Sequence, residues 1–148
     1  MALGKDVISG NILAYALDST AATAGGSGDA TEAAGASLDT QALATKSNSV
    51  EFVIGAKCSL TAAKVLTVAA RIQHSVDNSV WTDLVALATL LTLSATGTNT
   101  GSCKVGADLT AAKRYIRVAV TPDLSASGTD TATIFALAIF GGLQELPQ

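Results

Sequence analysis

The chain has 148 residues, of which 49% are apolar, 4% aromatic and 14% charged, with a formal net charge of −3. That length holds one sizeable core and not two, and an acidic balance with scattered Lys and Arg excludes the basic patch of a direct nucleic-acid binder. The charged share lies well below the roughly 25% of ordinary soluble domains, and mean hydropathy is +0.43. Too little charge is present to coat a small surface, so the composition suits a chain covered by its own copies or by another protein. An Ala-rich monomer is the alternative.

At the N-terminus, "MALGKDVISG" has no apolar run of the kind a secretory signal needs. The expectation is a protein made and kept in a cytoplasm until assembly. No membrane span is expected either, because runs such as "IFALAIF" (134–140) fall far short of the ~20 residues that cross a bilayer. The segment "NILAYALD" (11–18) reads as a short strand or an anchoring arm. It is followed by "STAATAGGSGDATEAAGASLDTQALATK" (19–46), which has no sustained period and almost no large side chain. Such a stretch buries too little area to offset its ordering entropy, so it is expected as a long loop or extended arm. The division that follows is an arm and loop over 1–46 and a β-sandwich over 47–148. On that division, removing 1–46 leaves the sandwich folded.

From residue 48 the pattern turns to strands. "SVEFVIGAK" (49–57) puts Val50, Phe52 and Ile54 on one face. "LTVAARIQHS" (66–75) alternates Leu66, Val68, Ala70 and Ile72 against Thr67, Ala69, Arg71 and Gln73. "KRYIRVAVTP" (113–122) alternates Ile116, Val118 and Val120 against Tyr115, Arg117 and Ala119. Period 2 is the mark of a half-buried antiparallel strand. "DTATIFALAIFGG" (130–142) is apolar on both faces, as in a central strand or one whose outer face meets a partner. Pro122 and Gly141–Gly142 read as strand ends. In "WTDLVALATLLTL" (81–93), Leu84, Leu87, Ala88 and Leu91 fit a helical stripe. Val85, Thr89, Thr92 and the "SATGTNTGS" tract (94–102) fit strand and hairpin better, and strand is preferred. "LTAAK" occurs at 60–64 and again at 109–113, each time before an expected strand, and reads as a tight turn. Strands at intervals near ten residues argue an all-β antiparallel sandwich or jelly roll.

The stretch "RIQHSVDNSVWTDL" (71–84) holds the chain's one His and one Trp. A Ser–His–Asp relay needs a nucleophile in reach of the imidazole and a carboxylate orienting it. Ser75, Asp77 and Ser79 lie too close to His74 in sequence for that geometry. A metal site at His74 lacks a second His or a Cys at ligand spacing, and Asp77, Asn78 and Asp83 do not match a calcium loop. "GGSG" (25–28) is a flexible linker and not a phosphate cradle, since no Lys–Ser/Thr pair and helix follow it. No catalytic, cofactor-binding or metal residue is therefore assigned, no cofactor is expected, and the chain is not expected to be an enzyme. Cys58 and Cys103 allow one disulfide by arithmetic, but two buried thiols are preferred in a chain without a secretory signal. Trp81 reads as a core plug ahead of an exposed anchor for a sugar or a partner, because aromatics are so few. Arg71, Arg114 and Arg117 would form charge pairs with Glu51 and the Asp residues on outer faces or across an interface, or lie on a solvated face.

"RIQHSVDNSVWTDL", followed by "KRYIRVAVTP" and the apolar "ATIFALAIFGG" (132–142), resembles the small capsid decoration, or cement, proteins of tailed DNA bacteriophages. The likeness covers about residues 48–142. The same pairing of a Trp turn with an Arg-bearing strand occurs in discoidin-like carbohydrate-binding jelly rolls, where both pack the sandwich. The resemblance implies a jelly-roll sandwich bound to the outside of a virion, made in the bacterial host cytoplasm. Its implied partners are the phage major capsid protein and copies of itself, as dimer or trimer. It implies no direct contact with nucleic acid or membrane, and it makes His74, Asp77, Trp81, Arg114 and Arg117 fold and interface residues. "DNSV" (77–80) stands where an Asp-Gly turn is more usual, which points to a longer loop. A carbohydrate-binding module of a phage fibre or adhesin, and a head–tail connector or tail subunit, are the alternatives. The first would need exposed aromatics clustered in loops, the second a ring-forming stoichiometry.

Overall fold

The computed structural model describes residues 12–43, 46–125 and 128–142. In chain order the strands are β1 (Ile12–Thr23), β2 (Ala33–Ala34), β3 (Leu38–Asp39), β4 (Ser49–Leu60), β5 (Leu66–Ser75), β6 (Thr82–Leu93), β7 (Gly97–Asp108), β8 (Tyr115–Leu124) and β9 (Thr131–Gly141). No helix occurs among the described residues. One sheet runs β1-β9-β4-β7; the other runs β2-β8-β5-β6, with β3 also on β8. Every pairing is antiparallel.

Counting β2 and β3 as one position, the first strand pairs the last, the second the one before it, and so inward to the β5–β6 hairpin. A long antiparallel hairpin has been rolled so that its two arms share two sheets. That is the jelly roll expected from the sequence. Alternation fills the space between the sheets. Val50, Phe52 and Ile54 of β4 and Ala136, Ala138 and Phe140 of β9 point inward from one sheet. Leu66, Val68 and Ile72 of β5 and Ile116, Val118 and Val120 of β8 meet them from the other. Each fully buried Val, Leu, Ile or Phe among them contributes about 1.5–3 kcal/mol.

The N-terminal segment departs from expectation. Residues 12–23 form a full strand paired along β9, and β2 and β3 pair with β8, so the expected boundary between 46 and 47 is crossed by both sheets. Residues 1–11 of the expected arm lie outside the described residues. The physical reason is close backbone packing in place of side-chain bulk. A Cβ on Gly35 would collide with the carbonyls of Ala16 and Val118, and one on Gly28 with that of Ala21. Through this closeness Gly35 N–H donates to Val118 O at 2.8 Å and Ala36 N–H to Ala16 O at 2.7 Å. Asp29 clamps the segment, its carboxylate accepting from Gly25 N–H at 2.7 Å and Leu124 N–H at 2.8 Å. The small residues that suggested a loose arm are the ones that let the backbone lie this close.

Two further differences are local. Strand β8 continues past Pro122 to Leu124. The Pro122 carbonyl accepts from Ala30 N–H, and in a strand the nitrogen of the same residue faces the same side. Its missing donor therefore falls beyond the end of β2, where no ladder bond is lost. Strand β7 takes up most of the Gly/Ser/Thr tract at 94–102, leaving a short β6–β7 connection in the hairpin expected there. Both "LTAAK" segments do carry turns between the sheets, but at different offsets, with Lys64 N–H donating to Thr61 O and Ala112 N–H to Leu109 O.

Candidate functional site

The outer faces of the two sheets differ in kind. On the β2-β8-β5-β6 sheet, Gln73 of β5 stands between Asp83 of β6 and Arg117 of β8. Its amide donates to Asp83 Oδ1 at 3.2 Å, and its carbonyl accepts from Arg117 Nε at 3.0 Å. Arg71 extends this ladder, reaching Glu32 at 2.7 Å and Asp83 at 3.2 Å. Arg114 holds Asp39 through Nε and Nη2, the latter at 2.6 Å, and tethers β3. Glu51 pairs with Lys104 at 3.1 Å on the other sheet. The Arg residues of the expected charge pairs thus find partners within the chain, apart from Arg117, which meets Gln73 and an aromatic ring.

That ring is Trp81. It is half-buried and lies outside the core, with the Arg117 guanidinium 4.2 Å from the centre of its ring. The expected core plug is instead the base of a cation–π stack on the outer face. Inward-facing Phe52 and Phe140 already fill the space between the sheets. Burial, with Arg71 nearby, holds the Arg117 guanidinium below its ordinary value.

Asp77 organises the loop between β5 and β6. Its carboxylate accepts from Ser79 and Val80 N–H, both at 3.0 Å, and from the Ser75 hydroxyl at 2.9 Å. These donors hold its carboxyl at about 2. Asn78 takes φ 62, the left-handed conformation an Asp-Gly turn would give to Gly. A I′ turn needs two such residues in succession. Asn78 is alone in this loop, and the connection is the longer one expected. His74 faces away from this network. Its Nδ1 accepts from Lys113 N–H at 3.3 Å, and burial followed by the Lys113 charge lowers its pKa. The Ser75 hydroxyl is spent on Asp77, so the structure brings Ser75 and Asp77 together without His74. Among the described residues no group of three or more His, Cys, Asp or Glu side chains converges as metal ligands would. Cys58 and Cys103 are free thiols, the first buried and the second half-buried, and burial raises the pKa of both.

The outer face of β1-β9-β4-β7 carries an apolar ridge. Register places Leu13 beside Ile139, Tyr15 beside Leu137, and Leu137 beside Val53. Leu13 is 65% exposed, Tyr15 56% and Phe135 44%. The Phe135 ring leans over Gly55 on β4. Next to it, Gly55, Lys57, Thr100, Gly101 and Ser102 line a shallow depression of about 670 Å³. A ridge of large apolar side chains thus stands beside a hollow of small ones, with charge around them in Asp18, which accepts from the Tyr15 hydroxyl at 3.2 Å, in Lys57 and in the Glu51–Lys104 pair. Contiguous apolar surface of this kind marks an interaction site. The sequence pointed here through the two-faced hydrophobicity of 130–142, but it gave no sign of Leu13 and Tyr15 joining from β1.

No family model matches the chain, and no curated protein matches it. Among solved structures it is similar to the PBSX exported protein XepA, with TM-score 0.49 and 18% identity over 93% of this chain and 39% of that one. It is also similar to a protein of the infectious bursal disease virus Gx strain, with TM-score 0.49 and 11% identity over 93% and 34%. A third likeness is to the CBM22-1–GH10 modules of a Clostridium thermocellum xylanase, with TM-score 0.37 and 7% identity over 76% and 20%. The chain spans well under half of each of these proteins. Likenesses this distant add nothing to the strand order, which by itself defines an antiparallel jelly-roll β-sandwich.

Proposed function

We propose that this chain is a non-enzymatic structural protein of a virion, docking on the outer surface of a phage capsid and cementing neighbouring major-capsid subunits. The observation that carries the reading is the apolar outer face of β1-β9-β4-β7, where Leu13, Tyr15 and Phe135 stand exposed. The resemblance of residues 48–142 to phage decoration proteins supplies the class of partner. The charge-poor surface supports association with further copies of itself, and assembly takes place in the host cytoplasm. No cofactor, nucleic acid or membrane enters the role.

The ridge and the adjoining hollow suit a partner that offers apolar side chains and a projecting knob, the geometry of a desolvated interface centre. The carbohydrate-binding alternative needs Trp81 free to stack on a sugar ring, and Arg117 covers one face of that ring. Co-sedimentation with assembled shells tests the docking role. Tyr15→Lys with Leu137→Lys puts two charges on the ridge without touching the core, and is expected to weaken shell binding roughly tenfold or more. Shell binding equal to that of the unaltered protein would overturn it.

A further inference from the structure

The two sheets end in four edges, formed by β1, β7, β6 and the β2/β3 pair. Natural edges are usually blunted by shortness, charge, Pro or bulges. Here β2 and β3 are two residues each. β1 carries Asp18 and two register shifts, and β7 carries Lys104, Asp108 and three Gly. β6 is different. It is 12 residues long and has no Pro, and between Asp83 and Lys104 the chain carries no charged side chain. Ala86, Leu87, Ala88 and Thr89 at its centre are all exposed, Leu87 to 51%.

We infer that β6 is a self-association edge, pairing antiparallel with β6 of a second copy of this chain about a two-fold axis near Leu87. The sequence of the strand chooses the occupant. Laid against its own reversed copy, Leu84–Leu91 brings only Leu, Val, Ala and Thr into opposition, so no like charges meet. The strand also carries three register shifts against β5, after Val68, Ala70 and Ile72. Bulges add twist and normally spoil pairing with an arbitrary strand. A second copy carries the same bulges and the same twist, which makes it the matching partner and disfavours unrelated strands.

The pairing makes one continuous sheet from β2/β3-β8-β5-β6 and its symmetry mate. A two-fold axis normal to that sheet leaves both copies the same way up, so both apolar β1-β9-β4-β7 faces look in one direction. Two docking faces would then engage one surface together, with the gain of a linked pair over single contacts. This last consequence rests on the proposed docking role; the pairing itself does not.

Sedimentation velocity of the full chain across the micromolar range tests the pairing, with far-UV circular dichroism and thermal melts confirming the fold. The unaltered protein is expected at the dimer mass. Leu87→Lys with Thr89→Lys, both at exposed positions, is expected to halve it. A monomer or a trimer for the unaltered protein, or a dimer that survives the Lys pair, overturns the inference. Should the Lys variant fail to fold, Leu87→Cys decides: oxidised glutathione is expected to link two copies through this residue, beyond any linking seen with Cys58 and Cys103 alone. Absence of that link overturns the inference too. No shell is present in these experiments, so their failure leaves the docking face standing. Undiminished shell binding by Tyr15→Lys with Leu137→Lys, with the dimer intact, would count against the docking face alone.

Discussion

The aromatic ring of Phe135 on β9 lies over Gly55, its cross-strand neighbour on β4, in the space a Cβ would need. The pair joins the ridge of the apolar face to its hollow: the missing side chain lets the ring lie down, and the ring walls the depression beside it. Gly55→Val should stand the ring up and fill part of the hollow. Because Phe135 is 44% exposed, the ring has room to swing, and the cost to stability is expected to be about 1 kcal/mol. Shell binding should fall far more than that cost suggests. A thermal melt alongside co-sedimentation separates the two effects, and a variant that melts lower yet binds normally would speak against a docking role for this face.

The N-terminal segment is built into both sheets, so removing residues 1–46 strips β1 from β9 and β2 and β3 from β8. The truncated chain is expected not to fold, contrary to the reading of this segment as a separable arm. Asp29→Ala is the gentler test. It deletes the carboxylate that accepts from Gly25 and Leu124, at a cost of about 1–2 kcal/mol. Limited proteolysis should then cut between residues 24 and 36 first. A truncated chain with a cooperative melt near that of the whole protein would contradict this picture.

Acid stability should show two windows. His74 has a lowered folded pKa, so the unfolded chain takes up its proton first, and stability declines as pH falls below the ordinary 6.5. His74→Gln should flatten that limb. Asp77, Asp29 and Asp39 have lowered folded values, so their contributions are complete above the ordinary 3.8 and are lost as pH falls from there. For Asp77, at about 2, the loss extends to that pH. Urea titrations at stepped pH read both limbs. Asp77→Asn should lower the plateau and shrink the drop below pH 4, whereas an unchanged drop would assign it to other carboxyls.

Trp81 is the one Trp of the chain, so its fluorescence reports its surroundings alone. Arg117→Lys exchanges a flat guanidinium for a point charge and loses the bond to Gln73. The emission is expected to move to the red as the ring meets water, with a loss of about 1 kcal/mol. An unshifted spectrum would mean that the stack does not shield the ring.

How far the sequence could be read follows from these same residues. β4, β5, β8 and β9 alternate cleanly because each lies flat within a sheet with one face on the core. β6 carries the same kind of residues, but its three extra residues against β5 each displace the alternation by one. That is why Leu84, Leu87, Ala88 and Leu91 mimicked a helical stripe. In β7 only Cys103, Val105 and Ala107 mark the inward side, and Gly101 sits where Leu91 and Leu93 reach across. Its strand character came from pairing with β4 and left little hydrophobic signal. β1 to β3 were hidden for the opposite reason, since close backbone packing asks for small residues that look like a linker. The rarity of Trp points to the core, but Arg71, Gln73 and Arg117 share the outward parity of their strands and form a polar face beside Trp81.

The most direct test of the central claim is hydroxyl-radical footprinting of side chains, with and without assembled capsid shells. Amide exchange reads the ridge poorly, because β9 is already hydrogen-bonded on both sides by β1 and β4. If the apolar face docks, Tyr15, Phe135 and Leu137 lose labelling on binding while the exposed Val76 and Val80 of the β5–β6 loop keep theirs. Equal labelling of Tyr15 and Phe135 in the free and shell-bound protein would contradict the account.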